Sequence, residues 1–158
     1  MAHSVKKSEV WTATVKKVAV WTGDISDRVG GLSSKLALLA QVKTDLSFVV
    51  ARRQPHQPGM GVVFLGPIKG SKQTEAARAA GLSPAQDLVA LQVEGVCNGC
   101  TYCYVHRITQ VIADGQINLR GLSSELIGKK IIATIAFDSE QDADAAAKLL
   151  RSAAAKSK

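Results

Sequence analysis

Two hydrophobic periods alternate along this chain. VWTATVKKVAVW (10–21) is rich in β-branched and aromatic residues and reads as strand, either one run or two short ones. GDISDRVGG then breaks the pattern with turn formers. Beyond it Leu32, Leu36, Leu39 and Lys43 fall at i, i+4, i+7 and i+11, which predicts a helix with an apolar face. LSFVVARR (46–53) and GMGVVFLGPI (59–68) read as a strand pair around the loop QPHQPG. KQTEAARAAG (72–81) is an Ala-rich helix stopped by Gly81.

The second half runs in the same order. DLVALQVEG (87–95) is a strand, and Tyr104, Val105, Ile108, Val111 and Ile112 share one helical face. INLRGLSSEL (117–126) and KKIIATIAF (129–137) form a strand pair around Gly128. SEQDADAAAKLLRSAAA is an amphipathic helix with acid early and base late, capped near Asp138-Ser139. The tetrapeptide GLSS occurs at 31–34 and 121–124, but at a helix start in one copy and in a strand in the other, so it is coincidence.

Strand–helix–strand–strand–helix, twice, predicts an α+β chain of tandem ferredoxin-like βαββα(β) repeats, each an antiparallel sheet with helices on one face. The expected organisation is a loose N-terminus (1–9), a first repeat (10–82), a connector (83–86), a second repeat (87–152) and a loose C-terminus (153–158). Neither repeat has a clear fourth strand after its last helix. Strand exchange between copies or chains would supply one, and the doubled VWT at 10–12 and 20–22 offers material. A homodimer is the expected assembly.

Composition narrows the function. Aromatics are only 4% of the 158 residues, so the core must come from aliphatic side chains in thin layers. The apolar runs fall well short of the ~20 residues a membrane helix needs, and MAHSVKKSEV has no apolar segment of a secretory signal. Three cysteines without an export signal point to a reducing cytoplasm and against a disulfide framework. The net charge of +7 raises the question of nucleic acid. The basic residues are scattered in short pairs such as Arg52-Arg53, without aromatics that could stack on bases, which argues against it.

In this order the text resembles the ACT domain family of small-molecule-binding regulatory modules, in tandem. The first copy carries it in Asp27-Arg28-Val29-Gly30-Gly31-Leu32, similar to a D-R-P-G-G-L loop, then in 46–53 and 61–65. The second copy carries it in Val93-Glu94-Gly95, in 117–122 and in 135–139. The resemblance covers roughly residues 10–152. It implies a non-catalytic sensor that binds an amino acid or similar metabolite where two copies meet. The residues it implicates are Asp27, Arg28, Gly30 and Gly31 in the loop, with Asp45 and Asn118 at the start of each copy's second strand.

The chemistry of those positions fits such a ligand. Glycines let backbone approach a carboxylate at a helix N-terminus, and Asn118 offers donor and acceptor together. The alternative is that the glycines make only a tight turn and Asn118 caps its own backbone. The chain departs from the family in having Val29 for proline and Asp45 for asparagine. It also has some ten extra residues before Asp27, and CNGCTYCYVH where the second loop belongs.

That cysteine stretch has its own possibilities. Cys97, Cys100, Cys103 and His106 could form a Cys₃His set for zinc or another thiophilic metal, with Cys103 and His106 as i, i+3 neighbours on the solvent side of a helix. A helix N-terminus lowers thiol pKa, which serves metal binding and oxidation alike. Against this, four ligands within ten residues clamp no distant segments, and inert cysteines remain an alternative. His3 and His56 are in a frayed start and a loop. The sequence contains no Ser-His-Asp constellation, Walker loop or G-x-G-x-x-G, and no enzyme is expected.

Overall fold

The structure, a computed structural model, describes residues 12–96 and 101–155. In chain order the elements are β1 (Thr14–Val18), β2 (Trp21–Ser26), α1 (Gly31–Gln41), β3 (Phe48–Arg53), β4 (Met60–Gly66) and α2 (Ser71–Ala79). They continue with β5 (Ser83–Pro84), β6 (Val89–Val96), α3 (Thr101–Asp114), β7 (Gly121–Ile127), β8 (Lys130–Phe137) and α4 (Glu140–Ala155). Two four-stranded sheets result, β3-β4-β2-β5 and β7-β8-β6-β1.

Contacts divide the chain into an inserted unit, Val18–Asp87, and a split unit made of the residues on both sides of it. The sequence reading placed residues 10–17 in the first repeat. Here β1 is hydrogen-bonded beside β6 in the other sheet. It fills the place that β5 fills beside β2, so the fourth strand of the split unit comes before its other strands and not after its last helix. β2 also runs on through Gly23-Asp24-Ile25-Ser26, where turn formers had suggested a break. Backbone pairing with Met60–Leu65 of β4 outweighs the weak strand propensity of those residues. The extra residues ahead of Asp27 are therefore β1 and β2 themselves.

The two units superpose in register. Trp21 faces Leu65, and Leu91 faces Ile135, each seventy residues further on. Helices α1 and α3 start at Gly31 and Thr101, the same offset, but span 11 and 14 residues. Relative to α1, the three added residues of α3 lie at its C-terminal end. Both helices then close alike. Lys43 (φ 51) and Gln116 (φ 57) take left-handed conformations, and the next amides, Thr44 and Ile117, donate back to Leu39 and Ile112 at 3.0 and 3.3 Å. Lys43, expected on the apolar face of a helix, is in fact the residue that ends it.

Each unit packs its helices on one sheet face. In the split unit Ile131, Ala133, Ile135 and Phe137 alternate into the core and are fully buried, as the two-residue strand period requires. They meet Tyr104, Ile108 and Ile112 of α3 and Ala143, Ala146, Ala147 and Leu150 of α4. Ser139 caps α4 through its hydroxyl on the Asp142 amide (3.0 Å), and Glu140 and Asp142 are in its first turn. Lys148 and Arg151 stand in its second half, ahead of a last turn without a basic residue. β1 is fastened to α4 by Lys17, which reaches Glu140 and Asp144, and by Arg151, whose Nη2 donates to the Val15 carbonyl at 2.8 Å. In the inserted unit Trp21, Leu39, Val63, Leu65, Ile68, Ala77 and Leu82 form the core. Among the described residues no helix is long and apolar enough to cross a membrane.

Candidate functional site

Strand β2 ends at Ser26, and the chain must reverse within four residues to lay α1 back across the sheet. The Asp27 amide continues the ladder by donating to the Gly59 carbonyl (2.9 Å). The Arg28 amide turns back to Ser26 (2.9 Å), and the Gly31 amide to Arg28 (3.0 Å). The two glycines have different reasons. Gly30 takes φ 80, a conformation costly for any L side chain, although open space surrounds it. Gly31 has ordinary backbone, but a Cβ there would overlap the Ser26 carbonyl oxygen, so helix and strand could not approach this closely.

What the turn presents is an uncapped helix N-terminus. Among the described residues α1 has no side-chain cap on Gly30 and no acidic residue in its first turn. The amides of Leu32 and Ser33 belong to that turn, where no intrahelical acceptor exists, and the helix dipole there favours an anion. Ser34 turns its hydroxyl to the Gly30 carbonyl (2.9 Å). Val29 stands 98% exposed at the tip.

The one acid of the turn is already matched. Arg53 Nε lies 2.9 and 3.1 Å from the two carboxylate oxygens of Asp27. By sequence Arg53 is only one of the scattered basic pair Arg52-Arg53. The register that could have found it is the hairpin: β2 and β3 both run antiparallel to β4, so β3 ends where β2 ends, at the turn.

The same register separates Asp45 from the turn. Asp45 precedes β3 and so lies at the opposite end of the sheet, about 20 Å away for a six-residue strand. It is exposed, beside Thr44, whose buried hydroxyl has no partner. Asn118 occupies the equivalent position in the split unit, three residues before β7, and is exposed too. The structure thus groups Asp27, Arg28, Gly30 and Gly31, adds Arg53, and leaves Asp45 apart within the unit.

Of the cysteine set, Cys97 and Cys100 lie outside the described residues. Cys103 and His106 are on α3, with His106 exposed. Cys103 is disulfide-bonded, which departs from the expectation of reduced thiols. A sulfur in a disulfide is no thiolate ligand. Among the described residues no group of three or more His, Cys, Asp or Glu side chains is placed to hold a metal.

No family model matches the sequence, and no curated protein matches it. Solved structures do. The regulatory subunit of aspartate kinase from Thermus thermophilus is similar at a TM-score of 0.63 and 15% identity, over 92% of this chain and 99% of that one. Its counterpart from Thermus flavus gives 0.60 and 15%, over 94% and 99%. Aspartate kinase from Clostridium acetobutylicum gives 0.61 and 12%, over 99% of this chain and 37% of that one. At such identities the likeness is one of fold, and the fold is a tandem ACT-like pair of ferredoxin-like repeats.

Proposed function

We propose that the chain is a non-catalytic regulatory protein that binds a small ligand, an amino acid or similar metabolite, at the turn Asp27–Gly31. The observation that carries this reading is the uncapped, acid-poor N-terminus of α1, opened by two glycines whose presence the backbone requires. A ligand carboxylate would take the Leu32 and Ser33 amides. Asp27, neutralised by Arg53, would not repel it. The likeness in fold to regulatory subunits supports the same class of function.

A site that also uses Asp45 or Asn118 must draw them from another ACT-like unit, because one sheet holds turn and strand start at opposite ends. A homodimer would supply such a pairing, and native mass spectrometry tests it. The proposed location is the cytoplasm.

The decisive variant is Ser33→Asp, at an exposed position in the first turn of α1. An acid there complements the helix dipole and should raise stability by about 0.3–1 kcal/mol. It should also abolish the rise in melting temperature that a binding amino acid produces in the unaltered chain. A panel of amino acids that shifts neither melting nor calorimetry in the unaltered chain rejects the reading. Equal shifts in Ser33→Asp would move the site elsewhere.

Thiol redox chemistry at the cysteine stretch is a second reading, favoured by the Cys103 disulfide over metal binding. Counting alkylated thiols by mass before and after reduction tests it, and stoichiometric zinc in untagged protein would reverse the preference.

A further inference from the structure

Each sheet packs its helices on one face, and the residues of the other face differ between the two units. In the inserted unit Trp21, Val63 and Leu65 point into the core. By strand alternation and register, Asp24, Val50, Arg52, Val62 and Phe64 then stand on the face without helices. That face is apolar at its centre. Phe48, Met60, Val62 and Phe64 are half-buried, and Val50 is 37% exposed. Two of the chain's three phenylalanines are on it, although water is a poor neighbour for a large aromatic ring.

The fold itself does not require this composition. Seventy residues on, the split unit has Thr134 for Phe64 and Lys130 for Met60 at the same register, keeping an apolar residue only at Ile132. On the neighbouring strand Ser123 stands for Val50 and Gly121 for Phe48. The same sheet is therefore built in one unit with a polar outer face and in the other with an apolar one.

The charges on the apolar face select its partner. Arg52 on β3 and Asp24 on β2 flank Val62 in a single register row. Arg52 holds its guanidinium 6.0 Å from the centre of the Phe64 ring and makes no ion pair among the described residues. Asp24 is exposed and accepts the Gln54 amide on one carboxylate oxygen at 2.8 Å. A two-fold axis parallel to the strands would set β3 of one copy over β2 of another. Arg52 would then meet the partner's Asp24, twice in the pair, around a centre of Val62 and Phe64. The outer face of the split unit would oppose itself in that arrangement, since Glu125 stands for Arg52 and Glu94 for Asp24.

We propose that the outer sheet face of the inserted unit docks on the same face of a second copy of the chain, with Arg52 paired to the partner's Asp24. Strand spacing and rise make the face roughly 15 by 20 Å, a small interface, so the dimer exchanges with monomer. The contact lies on a sheet face and not at the α1 turn, and it needs no ligand.

The test is sedimentation velocity on the full chain from micromolar to millimolar concentration, where the unaltered protein should pass from monomer to dimer. Arg52→Glu leaves only acids on the face and Asp24→Arg only bases, both at exposed positions. Each substitution acts twice in the dimer and should weaken self-association about tenfold or more. An equal mixture of the two variants should associate again, because each face then meets its complement, and native mass spectrometry should find the mixed dimer. An unaltered chain that stays monomeric at millimolar concentration would overturn the proposal. So would a dimer that neither substitution weakens, which would place the contact on another surface, or two variants that stay apart when mixed.

Discussion

The inserted and split units share a fold and a register but differ at their edges and helix ends. The inserted unit builds its sheet from consecutive elements, closes it with a two-residue strand and leaves the N-terminus of α1 uncapped. The split unit borrows β1 from ahead of the inserted unit, caps α4 with Ser139 and makes that helix seven residues longer than α2. The difference teaches that the paired core specifies the repeat, while the fourth strand can be supplied from either side of it in the chain.

The strongest way to break the comparison is to remove the borrowed strand. Deleting residues 1–17 leaves the inserted unit its four strands but makes β6 an open edge and uncovers the core that Val15 helps to close. Hydrogen exchange should then lose its protection across β6 and β8 and keep it across β2 and β4. Grafting residues 12–18 behind α4, where β5 follows α2 in the other unit, should restore it. If β2 and β4 lose protection equally, the two units are not separate folding entities.

Next in size are Leu65→Ala and Ile135→Ala. Both side chains are fully buried, and they occupy the same register position in the two sheets. Each substitution should cost about 2–5 kcal/mol in chemical denaturation. Costs that differ by more than that whole range would mean the equivalence stops at the backbone.

A smaller effect has the opposite sign. Lys43 and Gln116 both close a helix in the left-handed region, where α2 uses Gly81 at φ 70 for the same purpose. Replacing either by glycine relieves about 1–2 kcal/mol of strain, offset by the entropy glycine loses on folding. A net gain of up to about 1 kcal/mol is expected in each unit. A loss would show that the long side chain does more than tolerate the turn.

How much of this could be read from the text depends on whether the signal was local. The order of strands and helices, the repeat and the aliphatic core follow from side-chain periods that neighbouring residues carry. The loop Asp27–Gly31 was legible because φ and close approach demand glycine at particular positions. Non-local pairing was not legible. Nothing in Thr14–Val18 says that it joins a strand beginning at Val89, nor does Arg53 announce Asp27.

The finest contrast lies at one register position, where Glu94 in the split unit stands for Asp24 in the inserted one. Asp24 takes a hydrogen bond from the Gln54 amide at 2.8 Å, whereas Glu94 takes one from the Lys130 ammonium. That hydrogen bond holds the Glu94 carboxyl below the ordinary glutamate value, against its partial burial, with the charges of Lys130 and Lys16 adding to it. A carboxyl whose pKa is lower folded than unfolded stabilises the fold above its unfolded value and loses that contribution as pH falls through the folded one. The stability advantage of the unaltered chain over Glu94→Gln should therefore be full at neutral pH and shrink below the ordinary glutamate range. Denaturation midpoints measured across the acid range give the answer: parallel curves would mean that the pair contributes nothing to folding.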